Sequence, residues 1–376
     1  MSTTYKWIVA VVVIILILAG IWYYSTKPTT PAETGPIKIG LVAPLTGEGA
    51  AWGQNTLAGA NLAVKEINDA GGISGRQVIL LAEDDKASAE SVNAFNKLIN
   101  IDKVVAIVGV PASAAAGPAL PIAQKAGIPV IMIASAPALT QVGDLMFRIY
   151  PADSYQGSLG ADIVLNKLNK KKVAVLYVKN DYGQGVADSF SKKYEELGGK
   201  VVYSGALLNS STDFRSDITK AKASGAEALY LVMYPDGGLL LAKQLKEAKN
   251  TLPVVTETNF NDEKIVKSGY ADGYIYTEAK SDISGDFTVR LKAQDDFTDL
   301  SVNIAAPFSY DAAKAMLMAI DNAKTMTGAK IRDALFEISF PGASAPTVEF
   351  GSDREIKTPA FNIKMIKSGE VVDYTS

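Results

Sequence analysis

Neither cysteine nor histidine occurs anywhere in the 376 residues. Without thiols there is no disulfide, no thiolate nucleophile and no thiolate metal ligand. Without imidazole the commonest general base and the commonest transition-metal ligand are missing too. Neither sign of charge dominates: Lys+Arg 37 against Asp+Glu 40 gives a formal net charge of -3, with no block of like charge. No basic stripe is available to neutralise phosphates, so nucleic acid is excluded as a partner. No G-x-S-x-G elbow, no phosphate-cradling G-x-x-x-x-G-K-[ST] and no cluster of metal-ligating residues appears either. Carboxylates, Ser, Thr, Lys and Tyr are what remains for chemistry. The expectation is a binding protein rather than an enzyme, with no cofactor and no metal.

One long apolar run is present. From Trp7 to Tyr24 the chain reads WIVAVVVIILILAGIWYY, with no charge between Lys6 and Lys27. At about 1.5 Å per residue, such a helix approaches the roughly 30 Å of a bilayer core. It is long for the apolar centre of a signal peptide, and no A-x-A cleavage site follows. The run therefore reads as a transmembrane signal anchor over 7–24. Residues 1–6 would lie on the cytoplasmic side, with the soluble mass outside the cytoplasm, in the periplasm or at the cell surface. The segment STKPTTPAETGP (25–36) has nothing apolar to bury and reads as a tether.

Beyond the tether, short apolar strands alternate with helical spacing. IKIGLVAPL (37–45) is followed by TLAGANLAVKEIND (56–69), with Leu57, Ala60, Leu62, Val64 and Ile67 on one stripe, then by a GG stop and RQVILLAEDD. The order then restarts at KKVAVLYVKNDYGQG with strand, glycine-containing loop, helix, GG and strand. Alternation of this kind predicts parallel sheets covered on both faces, here two doubly wound α/β lobes facing each other across a cleft. The amphipathic helix of 307–324 and the final strand FNIKMIKSGEVVDY come after both units, and each needs a sheet to pack on. The chain is therefore expected to cross between lobes more than once, through a multi-strand hinge.

Ligands of such sheets bind beyond the carboxyl ends of the strands. The first such loop, TGEGAAWG (46–53), invites a dinucleotide reading, but Trp52 stands where the third glycine belongs. Glu83, Asp84 and Asp85 are also too far along for the ribose contact. What the loop does offer is Trp52 as an aromatic wall. Ser113 follows a strand at a predicted helix start, where an N-cap belongs, with only Ala112, Ala114 and Ala115 around it. No histidine or lysine lies nearby in sequence to make it a nucleophile. Free amides and the helix dipole at that point suit an anion. Ser135 and Ala136, in IASAPALT, repeat the arrangement after the next strand. In the second unit Tyr182, Tyr234 and Glu257 all follow predicted strands and would place two aromatic walls and an acid opposite.

These stretches carry a resemblance. IKIGLVAPLTGEGAAWGQNTLAGANLAVKEINDAGGISGRQVILLAEDD, IASAPALTQVGDLMFRIYPADSYQG, VKNDYGQG and SYDAAKAMLMAI stand in the order found in type I periplasmic binding proteins. The chain resembles most the leucine/isoleucine/valine-binding branch that serves branched-chain amino acid ABC transporters. The resemblance implies a Venus-flytrap fold of two Rossmann-like lobes with three crossovers, 37–152 plus 281–360 forming lobe 1 and 153–280 plus 361–376 forming lobe 2. It also implies an ABC permease as partner and a small carboxylate-bearing ligand, an amino acid or a related acid. The ligand carboxylate would fall on Ser113, Ser135 and Ala136, and its ammonium near Glu257, with Thr256 and Thr258 as competitors for that position. Trp52, Tyr182 and Tyr234 would line the ligand. A keto acid or aromatic acid as ligand, or a sensor acting through a partner, stays open at this point. The family's disulfide and lipid-bearing cysteine are absent, which leaves anchoring to the helix itself.

Overall fold

The computed structural model describes residues 35–375, apart from 48, 282–284 and 358, and before them only Trp7, 12–19 and Trp22. The expected membrane span over 7–24 thus lies largely outside the described residues. Among those described, 12–19 are helical with exposed apolar side chains, and no helix is long and apolar enough to cross a membrane. Met1–Pro36 and Ile37–Ser376 are separate compact units.

The second unit holds two sheets. The first comprises β1 (Ile37–Ala43), β2 (Val78–Asp84), β3 (Ala106–Gly109), β4 (Val130–Met132) and β5 (Met146–Arg148). They are all parallel, in the order β2-β1-β3-β4-β5. Between them run α1 (Ala50–Asp69), α2 (Ser91–Asn96) and α3 (Ser113–Ala126). Apolar clusters cover both faces, which is why β1 reads as a continuous apolar run rather than an alternation.

After α4 (Asp153–Asp162), the second sheet is built from β6 (Lys172–Val178), α5 (Asp181–Glu196), β7 (Lys200–Leu207), α6 (Arg215–Ala223), β8 (Ala228–Val232), α7 (Pro235–Glu247), β9 (Val254–Thr256), α8 (Glu263–Ser268) and β10 (Ile275–Ala279). Its parallel part has the order β7-β6-β8-β9-β10, the same winding as the first. The segment expected to be one final strand is instead a hairpin: β11 (Phe361–Lys367) and β12 (Glu370–Asp373), with β11 antiparallel to β10. Ser368 and Gly369 both take positive φ, 54° and 81°, the two-residue turn that matches strand twist.

The remaining helices, α9 (Gly285–Lys292), α10 (Ala305–Ala323) and α11 (Gly328–Leu335), contribute to the core of the first sheet, as do Val348, Phe350 and Ile356. Residues 161–276 and Ile366 form the other core. The chain therefore passes between cores three times: after Tyr150, within β10 between Tyr276 and Ala279, and at the start of β11 between Phe361 and Ile363. In each sheet the winding reverses beside its first strand, between β1 and β3 and between β6 and β8. That is the position at which doubly wound sheets open a crevice.

Candidate functional site

On the first sheet, β3 leaves through a strained turn. Gly109 has φ 98° and Val110 φ 48°, a left-handed conformation that a β-branched residue rarely adopts. Two backbone bonds hold it, Val110 N–H to Val42 O at 2.7 Å and Ala134 N–H to Val110 O at 3.0 Å. The turn delivers Ser113 into the first position of α3. The expected N-cap is corrected here: Ala112, with extended φ −98° and ψ 119°, occupies the cap, and no side chain caps the helix. The Ser113 hydroxyl lies across to the next loop, where it accepts the Ala136 amide at 3.2 Å, fully enclosed. Ser135 offers its carbonyl to the Asp153 amide at 2.9 Å.

This second loop is fixed from behind by Arg148, which is completely buried. Its Nη1 donates to Ala134 O at 3.1 Å and Ala136 O at 2.8 Å. Its Nε and Nη2 form a two-point pair with Glu355, at 2.8 and 3.0 Å. Trp52 is also corrected: it stands in the first turn of α1 rather than on a loop. The helix can begin that early because Gly53 has no side chain, since a Cβ there would meet Pro44 O at 1.9 Å. The Trp52 ring is half-buried and edge-on to Tyr150, 6.4 Å between centroids.

On the second sheet, Asn180 caps α5, accepting the Gly183 amide at 2.9 Å and donating to the Tyr234 hydroxyl at 3.1 Å. Tyr182, in the first turn of α5, stacks on Tyr234 with 5.6 Å between centroids and accepts Asn259 Nδ2 at 3.3 Å. Thr256 bonds Leu231 O inside the sheet. Glu257, fully buried, receives the amides of Asn259 at 2.7 Å and Met233 at 3.3 Å. Burial pushes its carboxyl up to about 7, against the pull of Asn259, Tyr182 and Met233.

A second acid joins it that the sequence reading passed over. Asp153, the first residue of α4, is fully buried, and neither carboxylate oxygen completes a hydrogen bond. Burial raises it to about 7, the Ser135 hydroxyl and the Arg148 guanidinium pulling the other way. Asp153 and Glu257 both push the Tyr150, Tyr182 and Tyr230 hydroxyls upward, so all five lie within one electrostatic neighbourhood. The two sides touch where side chains are absent: a Cβ on Gly185 would stand 3.0 Å from Asp153 Oδ2 and 3.6 Å from Pro137 Cδ. Ring contact joins Trp52 to Tyr150, whose hydroxyl feels the charge of Glu257, and hydrogen bonds join Asp153 to Ser135 and Ala136 to Ser113. Hydroxyl and amide dipoles face two carboxylates, and the one buried guanidinium is already matched by Glu355. Such a set attracts a cation and repels a bare anion. Among the described residues no three acids gather closely enough to hold a metal ion.

The family model described as periplasmic binding protein matches residues 36–370. The chain belongs to the type I periplasmic binding proteins. This periplasmic binding protein is 31% identical to Leu/Ile/Val-binding protein homolog 3 of Brucella melitensis, over 95% of this chain and 98% of that one. It shares the fold of the branched-chain amino acid transporter substrate-binding protein LivJ of Streptococcus pneumoniae, solved with isoleucine: TM-score 0.78, 28% identity, 89% of this chain and 97% of that chain. A solute-binding protein from R. palustris, solved with benzoate, has the same fold at TM-score 0.78 and 21% identity, covering 90% and 95%. The motif resemblance and these matches agree on a substrate-binding protein of the branched-chain amino acid ABC transport family, a family of solute binders rather than enzymes. The fold holds an amino acid in one neighbour and an aromatic acid in another, so it does not choose the ligand.

Proposed function

We propose that the protein captures an α-amino acid between its two halves, 37–152 with 281–360 and 153–280 with 361–376, and passes it to an ABC transporter permease. The segment 7–24 would anchor it in the membrane with the binding unit outside the cytoplasm. In this reading the ligand carboxylate replaces the Ser113–Ala136 hydrogen bond with bonds of its own to that hydroxyl and amide, beside Ser135. The ammonium lies between Glu257 and Asp153, while Trp52, Tyr182 and Tyr234 enclose the rest.

One observation carries the choice of an amino acid: among the described residues Glu257 and Asp153 are both buried, and the buried guanidinium near them, Arg148, is already paired with Glu355. Each unmatched buried charge costs several kcal/mol. Micromolar affinity is only about 8 kcal/mol in total, so a single mismatch removes most binding. An amino acid brings, along with its carboxylate, an ammonium that offsets one of these charges, whereas benzoate brings a negative group and no cation. Calorimetry on the full chain in detergent should show leucine-type amino acids binding and benzoate failing to bind. Glu257→Gln should weaken the amino acid by about a hundredfold or more. An unchanged affinity in that variant would remove Glu257 from the role.

A further inference from the structure

Arg148 lies behind the loop that would seat the ligand carboxylate, yet its charge is already answered. All five of its N–H groups are placed: two on Ala134 O and Ala136 O, one on Pro137 O at 3.4 Å, and two on the Glu355 carboxylate. The residue whose carbonyl it holds, Ala136, is the one whose amide belongs to the proposed seat. Its charge also reaches the acids of the site: burial raises the Asp153 carboxyl, and Arg148 is among the groups that pull it back. Glu355 comes from ahead of the third crossing and is fastened in place. Its Oε1 also accepts the Thr140 hydroxyl at 3.0 Å. Arg354 beside it offers its carbonyl to the Arg148 amide at 2.9 Å and donates Nη2 to Thr140 O at 2.8 Å. The Arg148 side chain is 0% exposed and that of Glu355 15%, so their charges act with far less screening than surface charges do.

We infer that Glu355 sets the class of ligand without touching it: by cancelling the Arg148 charge it leaves the carboxylate seat a set of neutral dipoles, so the cleft refuses acids that bring no ammonium. This rests on the amino acid reading above. With Glu355 neutral, the guanidinium would be a buried cation without a counter-charge, one residue from the seat, and a ligand carboxylate would supply what is missing. A keto acid would gain the whole of that attraction. An amino acid would gain less, because its ammonium, placed beside Asp153 where the Arg148 charge is felt, would be repelled.

Leucine and its keto acid share one skeleton and differ by a carbonyl in place of the ammonium, which makes them the probes. Calorimetry on the full chain in detergent should give leucine about a hundredfold tighter binding than the keto acid, or more. Glu355→Gln keeps the shape of the side chain and a hydrogen bond to Arg148 but not the charge. It should tighten the keto acid about tenfold and leave leucine within about threefold, so that the ratio narrows. Glu355→Asp, which keeps the charge, should hold the parental ratio. A merely structural role predicts that both ligands weaken together in Glu355→Gln. That result would overturn the inference, and so would an unchanged ratio or an equal narrowing in Glu355→Asp. Should Glu355→Gln not fold, Glu355→Ser is read in the same way. If the parent binds neither probe or prefers the keto acid, the amino acid reading has failed and this inference falls with it. Leucine binding with a ratio that Glu355→Gln does not move sinks only the role of Glu355.

Discussion

The two sheets share one winding, β2-β1-β3-β4-β5 and β7-β6-β8-β9-β10, yet the groups at their carboxyl ends differ in kind. At the first, the polar atoms answer one another: Ser113 takes the Ala136 amide, Asp153 N–H takes Ser135 O, and Arg148 holds the loop carbonyls and is held by Glu355. At the second, Tyr182, Tyr234 and Asn180 are satisfied, but Glu257 stands buried as an acid without a counter-charge, and Asp153, at the passage between the sheets, is a second buried acid with only the Ser135 hydroxyl and the already paired Arg148 acting on it. One wall is matched within itself and the other holds buried acid without a counter-charge. The difference bears on the proposed reading. There, a self-satisfied dipole wall would exchange its internal bonds for a carboxylate at little gain or loss, and so would position the ligand. The uncompensated acids would gain a great deal from an ammonium, and so would select it.

The largest way to break this contrast is to unfinish the finished wall. Arg148→Met should cost about 3–5 kcal/mol of stability, because it strands Glu355 and frees the 134–137 loop. Chemical denaturation would measure it, and a loss under 1 kcal/mol would mean the loop does not depend on the guanidinium. Next comes finishing the unfinished wall. Asp153 and Glu257 are raised to about 7 by burial, above their unfolded values, so the folded state holds their protons more tightly. Their destabilising effect is absent below about pH 4, grows as pH climbs toward 7, and is full above it. Glu257→Gln should therefore stabilise the ligand-free protein by roughly 3 kcal/mol at pH 8, and the gain should vanish near pH 4. A variant less stable than the parent at pH 8 would show the acid to be matched after all. The smallest effect sharpens the contrast: Ser113→Ala should cost about 1 kcal/mol of stability and about tenfold in amino acid affinity, a positioning loss rather than abolition.

Much of the architecture was legible because parallel strands buried on both faces spell unbroken apolar runs, and because the GG stops repeat at the same point in both units. Glu257, Tyr182 and Tyr234 were legible as residues just past such runs. Trp52 was read on a loop and Ser113 at a cap, whereas they stand inside the first turn and at the first helical position, since the start of a helix packed against a strand end depends on tertiary clearance at Gly53 and on the Val110 turn, which no local pattern reports. Asp153 was missed although YPAD carries a helix-start signal. Its strand, β5, is three residues long, and only burial distinguishes this aspartate from a surface cap. The Arg148–Glu355 pair spans 207 positions, beyond any local reading.

Gly185 has a practical consequence. Because the halves meet there without a side chain between them, a bulky residue at that point would act as a doorstop, wedging the jaws apart while leaving each wall intact. Such a protein would present the vacant shape permanently, and so would separate the effects of closure from those of ligand contact.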